Sequence, residues 1–244
     1  MKALETDAAS GEVEGLAKVD WASLAAELDS QGWAVIPQLL TAEACADCGG
    51  WYGQDDRFRS QVIMGRHGFG QGEYKYFAYP LPQRVQALRA GLYRGLAPLA
   101  DAWRRALGRE GRFPAEHVDY LAQCHAAGQT RPTPLLLTYG EGDYNCLHQD
   151  LYGDEVFPLQ AAILLSAPGS DFTGGEFVLV EQRPRMQSRP QVVPLGQGDA
   201  VVFAVRERPV TGARGVYRVQ MRHGVSRLGC GARRTLGVIF HDAR

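Results

Sequence analysis

Residues 139–150 read Tyr139-Gly140-Glu141-Gly142-Asp143-Tyr144-Asn145-Cys146-Leu147-His148-Gln149-Asp150, and the last three decide how the rest is read. Side chains on an extended strand alternate between its faces, so His148 and Asp150 project from the same side. A second fragment, Met221-Arg222-His223-Gly224-Val225, brings another imidazole 75 residues after His148. In a jelly roll, early and late core strands lie close together, so that separation can close a three-ligand metal site. Two imidazoles and one carboxylate hold non-haem Fe(II) and leave positions open for a bidentate organic acid and dioxygen.

Ten residues beyond His223 stands Arg233, in Gly231-Ala232-Arg233-Arg234-Thr235-Leu236-Gly237. By alternation Arg233 and Thr235 share one strand face, while Arg234, Leu236 and Val238 take the other. A guanidinium fork beside a hydroxyl suits a bidentate carboxylate better than a lysine does. An organic acid chelating iron at one end reaches Arg233 at the other.

Outward from this region the texture is strand after strand: 135–139, 160–166, 176–180, 191–195, 200–205, 217–224 and 235–241, punctuated by glycine turns. Many short strands at short intervals predict a double-sheet jelly roll, or double-stranded β-helix. Toward the N-terminus helices dominate. Apolar residues at helical spacing predict a helix over 21–28 that stops before Gly32, and Thr41 can cap another over 42–48. The strongest periodicity runs from 82 to 107 through Val85, Leu88, Leu92, Leu96, Leu99 and Trp103, where Pro98 is expected to break it in two. A shorter helix is expected over 115–125, and a short strand over 33–37. The fold class is therefore α+β, with N-terminal helices buttressing a jelly-roll core. Residues 1–18 read as a flexible lead-in, followed by a single domain over 19–244 with helical support in 19–130 and the core in 131–244.

The glycine-rich stretch 58–77 reads as a hairpin or flexible loop, and residues 65–77 could form a lid over a site. It does not have the strand–glycine–helix arrangement of a phosphate-binding loop. His67, Lys75, Tyr74 and Tyr76 are candidate substrate contacts there.

Composition excludes several classes. Apolar runs fall far short of the roughly 20 residues of a membrane span, and the first residues lack an export signal, so a cytoplasmic protein with no membrane partner is expected. Five scattered cysteines do not form a disulfide framework, and Cys45-Ala46-Asp47-Cys48 has no second pair to complete a zinc site. The net charge of −1 hides an asymmetry: residues 183–234 hold eleven arginines and no lysine against Asp199 and Glu207, making that segment +9 and the remainder −10. This is either an electrostatic footprint for nucleic acid or a general habit of using arginine, since lysine occurs only at 2, 18 and 75.

The combination of His148-x-Asp150, a distant His223 and Arg233 on the last core strand resembles the Fe(II)/2-oxoglutarate-dependent oxygenase superfamily. Phe172-Thr-Gly-Gly-Glu-Phe177 and Gly196-Gln-Gly-Asp-Ala-Val-Val-Phe203 are similar to segments of its prolyl-hydroxylase-like branch. The likeness covers about 135–241, with a weaker stretch at 28–40. It implies that His148, Asp150 and His223 hold Fe(II), that 2-oxoglutarate lies on Arg233 and Thr235 with Tyr139 in contact, and that O2 is the second cosubstrate. Asp150 stands where a halogenase of this superfamily has a small residue, which implies hydroxylation.

The chain also resembles a bacterial oxygenase family proposed to act on damaged nucleic acid. Its last-strand sequence, Arg233-Arg-Thr-Leu-Gly-Val-Ile239, departs from the Arg-x-Asn-x-Thr-Phe-Arg pattern of alkylated-base repair oxygenases. Hydroxylation of a protein side chain or small molecule therefore stays open, as does a non-catalytic cupin-like metal-binding domain.

Overall fold

The computed structural model describes residues 13–244. The elements run α1 (Glu14–Ala17), α2 (Trp21–Gln31), β1 (Trp33–Ile36), α3 (Ala42–Gly50), β2 (Phe58–Ile63), β3 (Gly70–Gln71), β4 (Glu73–Phe77), α4 (Gln83–Ala106) and α5 (His117–Ala126), followed only by strands. These are β5 (Leu135–Tyr139), β6 (Tyr144–His148), β7 (Leu159–Leu164), β8 (Phe172–Gly174), β9 (Phe177–Gln182), β10 (Arg189–Val193), β11 (Ala200–Ala204), β12 (Glu207–Gly212), β13 (Gly215–Val225), β14 (Leu228–Gly231) and β15 (Arg233–Val238). Of the expected lead-in, residues 1–12 lie outside the described residues, and α1 packs Leu16 against the core.

Local chemistry sets the helix ends. The Asp20 carboxylate accepts from the Ala22 and Ser23 backbone N–H groups at the start of α2, and Gly32 ends it with φ 85°. Thr41 Oγ1 accepts from the Ala44 N–H and opens α3. Contrary to expectation, Pro98 does not divide α4, which runs unbroken for 24 residues. Both Pro98 and Arg94, whose carbonyl loses its partner, are exposed, so water can satisfy that carbonyl. Meanwhile Val85, Leu88, Leu92, Leu96 and Trp103 hold the opposite face in the core on both sides of the proline.

Two antiparallel sheets face each other. One has the order β1-β11-β7-β15-β5-β4-β2 and the other β10-β9-β13-β6-β3, with β12 paired to β13. The helices cover the outer face of the larger sheet, where Leu136, Ala161, Ile163, Val202, Leu236 and Val238 join one apolar cluster with α2, α3 and α4. Alternate residues point inward, and Ala162, Val201 and Phe203 meet Phe177, Leu179 and Val193 from the other sheet. Strand β7 is consequently buried on both faces, as its sequence, apolar apart from Gln160, requires.

The division into helical support over 19–130 and core over 131–244 needs correction. Strand β1 pairs with β11, Trp33 opposite Phe203, and β4 with β5, so the N-terminal half contributes both edges of the larger sheet. Pairing between residues so far apart leaves no local signature in sequence.

A buried polar knot ties α4 to the C-terminus. Arg89 Nη2 donates to Asp242 Oδ1 at 2.7 Å with both side chains essentially out of solvent, and Tyr79 and His125 reach the other carboxylate oxygen. Burial works against the Asp242 charge, but Arg89, His125 and Tyr79 outweigh it and hold the carboxyl below its ordinary range. Its stabilisation is therefore complete above that range and is lost as pH falls through the lowered folded-state value. Asp242→Ala, which strands a buried guanidinium, is expected to destabilise the fold by about 3–5 kcal/mol, read as a lower urea midpoint at pH 7.

Candidate metal centre and its cavity

Strand β6 ends at His148, and β13 places His223 directly opposite it. Asp150 follows two residues later, beyond the strand end, so strand alternation is not what aims it. The three side chains nevertheless converge tightly: Asp150 Oδ1 lies 3.6 Å from His148 Nε2 and Oδ2 lies 3.4 Å from His223 Nε2. One donor atom from each residue lies within 4.8 Å of the other two, an arrangement able to hold a metal ion.

The protonation pattern suits that use. His148 Nδ1 lies 2.7 Å from the Cys146 carbonyl, which can only accept, so Nδ1 carries the proton and Nε2 presents its lone pair. Burial, then the neighbouring His148, lower the pKa of His223 and favour the neutral imidazole. Burial opposes the charge on Asp150, but hydrogen bonding and charge from His223, with His148 and Gln160, hold it below the usual carboxylate range.

Two residues not singled out in the sequence complete the surroundings. Tyr152 donates its hydroxyl to Asp150 Oδ1 and Gln160 Nε2 donates to Oδ2, each at 2.8 Å. Tyr152 is in turn 3.0 Å from the Tyr76 hydroxyl. Both carboxylate oxygens are thereby oriented from behind. A signal for Gln160 existed: it is the lone polar residue in the apolar run Leu159-Gln160-Ala161-Ala162-Ile163-Leu164. Gln160→Leu or Tyr152→Phe is expected to weaken Mn(II) or Fe(II) binding about 10–100-fold, measured by anaerobic titration.

The cluster opens into a cavity of about 330 Å³ between the sheets, walled by Tyr74, Leu137, Phe177, Phe203 and Val225 among others. Arg233 and Thr235 line it, as does Tyr139. Arg233 is 2% exposed, and its Nη1 donates to Thr235 Oγ1 at 2.6 Å. Its guanidinium carbon lies 5.7 Å from the Tyr139 ring centre. Its Nε has no partner, and among the described residues no carboxylate lies within ion-pair distance of it. Arg234 points the other way, toward the Gly49 carbonyl. The strand register therefore brings Arg233, Thr235 and Tyr139 into the cavity that holds His148, Asp150 and His223.

Other candidates sort themselves by position. Lys75 bonds Asp55 and the Tyr52 carbonyl, outside the cavity lining. Tyr74 is in the lining, and Tyr76 is buried beneath it. The stretch considered as a lid is fastened to the rim: β3 pairs with β6, and the Cys146 N–H donates to the Phe69 carbonyl at 2.9 Å. Cys45 is buried in α3, and burial pushes its thiol up to about 11, which suits an inert packing residue.

The arginine-rich segment is partly neutralised internally. Buried Glu181 accepts from Arg208 at 2.6 Å and Arg183 at 2.7 Å, with Arg189 at 3.6 Å. Glu207 takes Arg218 and Arg109. Arg206, Arg222 and Arg227 are exposed and have no carboxylate partner among the described residues.

Residues 72–243 match the family Oxygenase-NA, described as an oxygenase catalysing oxidative methylation of damaged DNA. An uncharacterized protein of Mycobacterium tuberculosis is 53% identical over 189 residues, 78% of each chain. In fold the chain is similar to a 2OG-Fe(II) oxygenase family oxidoreductase from Burkholderia pseudomallei, with 17% identity, TM-score 0.55 and coverage of 93% of this chain and 94% of that one. It is also similar to a prolyl-4-hydroxylase from Pseudomonas putida, with 14% identity, TM-score 0.51 and coverage of 92% and 99%. Among the described residues, no helix is long and apolar enough to cross a membrane.

Proposed function

The chain belongs to the Oxygenase-NA family, and on that premise we propose that it is an Fe(II)- and 2-oxoglutarate-dependent dioxygenase acting on modified nucleic acid, with His148, Asp150 and His223 as its metal ligands. Family membership displaces the cupin-like binding domain as an alternative. One observation carries the site assignment: a single cavity holds both an imidazole–carboxylate cluster and a buried guanidinium that, among the described residues, has no carboxylate within ion-pair distance. A buried unpaired cation is expensive, and an anionic ligand removes that cost.

The donor set fits a ferrous ion, since two neutral imidazoles and one carboxylate are the ligands of non-haem iron oxygenases. With 2-oxoglutarate and O2, bound iron supplies oxidative decarboxylation to succinate and CO2 and oxygen insertion at a substrate C–H. The chain's own contribution is binding and exclusion. Arg233 receives the distal carboxylate of the acid, the Thr235 hydroxyl holds the guanidinium in place, and Tyr139 flanks it. Burial pushes the Tyr139 phenol up to about 12, so it keeps its proton at neutral pH and can donate a hydrogen bond. Leu137, Phe177 and Val225 keep the cavity wall apolar, which strengthens these polar contacts.

The test is spectroscopic. Anaerobic addition of Fe(II) and 2-oxoglutarate should produce a weak visible charge-transfer band, and addition of methylated oligonucleotides in air should increase succinate release. No band would remove the cofactor assignment. A band with release driven only by peptides or metabolites would remove nucleic acid as substrate.

A further inference from the structure

Building on the nucleic-acid reading above, we propose that Phe69, backed by His67, is a stacking platform for an unpaired nucleobase of a single-stranded segment at the cavity mouth. Phe69 lines the cavity yet remains 47% exposed, an unusual place to leave a large aromatic ring in water. One exposed apolar side chain means little alone. Here the His67 ring is stacked on it, with centroids 5.3 Å apart and planes 24° apart, so the ring is braced in one orientation.

The backbone beneath is held as well. The Phe69 N–H donates to the Met64 carbonyl at 3.2 Å, and its carbonyl accepts from Cys146. Gly70, at φ 128°, lies so close to β6 that a Cβ would sit 2.3 Å from the Tyr144 carbonyl oxygen. Only glycine permits that approach. The platform is therefore presented by a fastened segment, which lowers the ordering cost of using it.

The neighbouring strand pair carries matching chemistry. Gln71 pairs with Tyr144, and the Arg227 guanidinium lies 5.6 Å over the Tyr144 ring. Among the described residues Arg227 has no carboxylate partner. A braced aromatic face on β3's lead-in, with an aromatic ring and a guanidinium lacking a carboxylate partner on the strand paired to β3 and beside it, can take a base and its phosphate chain without reading sequence. A base paired within a duplex shows only its edges, so the occupant must be unstacked or single-stranded. The exposed Leu147 and Leu151 would serve an aliphatic peptide side chain, but such a side chain leaves the planar stack and the guanidinium unused.

The experiment uses the full-length protein without iron and a fluorescein-labelled single-stranded DNA dodecamer, with a second dodecamer carrying one 2-aminopurine. Anisotropy reads the Kd, and quenching of 2-aminopurine reads stacking. The native chain should bind and quench. Phe69→Leu should bind about ten-fold or more weakly and lose the quench, while Phe69→Trp keeps both. Retained quenching and affinity in Phe69→Leu overturns the platform and leaves the nucleic-acid substrate standing. No binding by the native chain overturns both. If Phe69→Leu weakens a phenylalanine-containing peptide but not the dodecamer, the platform serves protein and the proposal falls.

Discussion

His148→Ala is expected to abolish Fe(II) binding and succinate release, and His223→Ala to do the same. Each variant removes one of three donors from a cluster with no fourth His, Cys, Asp or Glu identified in it among the described residues. Loss of a group that only orients a ligand weakens metal binding about 10–100-fold, so loss of the ligand itself exceeds that. The two variants differ in collateral damage. His148 stands partly in solvent, whereas His223 is packed against Phe203 and Phe177, with ring centres 4.6 and 5.9 Å away. His148→Ala should therefore keep its thermal midpoint while His223→Ala loses some stability to the space left behind. Calorimetry with Mn(II) separates binding from fold, and turnover retained in both variants would remove the triad.

Arg233→Met is the second decisive change, because it separates stability from function. Removing a charge-assisted, desolvated pairing typically costs about 2–5 kcal/mol, so the 2-oxoglutarate KM should rise roughly 30-fold or more. Without the acid, however, Arg233 is a buried cation with an unpartnered Nε. Burial already lowers its pKa. An apolar side chain of similar length relieves that penalty, so the variant should melt no lower than the native chain and could melt higher. Arg234→Met, on the opposite strand face, should leave the KM unchanged. A KM effect at Arg234 with none at Arg233 would refute the assignment of the acid's partner.

The proposed donor residues were legible in sequence because chemistry constrains their type and spacing, whereas strand alternation put Arg233 and Arg234 on opposite faces without saying which face meets the cavity, a choice made only by how β15 sits in the sheet. The same rule gave the wrong reason for Asp150, which lies past the end of β6 and is aimed by Tyr152 and Gln160 instead. Those two act through geometry across strands, which spacing does not encode. Helix α2 was legible through Asp20, Gly32 and its apolar face, whereas continuity through Pro98 depends on the carbonyl of Arg94 facing water. Strand β1 could be recognised as a strand but not placed, since its partner residues in β11 lie 164 to 170 positions later and the pairing is a property of the assembled sheet.

Glu181 changes what the arginine count means. By gathering Arg208, Arg183 and Arg189 around one buried carboxylate, it spends three cations on the architecture of β9 and β12. The counterions displaced when a phosphate chain settles on this protein are set by the cations left over, such as Arg206, Arg222 and Arg227. Because one carboxylate offsets only one of the three charges gathered on it, the protein's grip on a polyanion should fade with ionic strength somewhat less steeply than the bare number of arginines suggests.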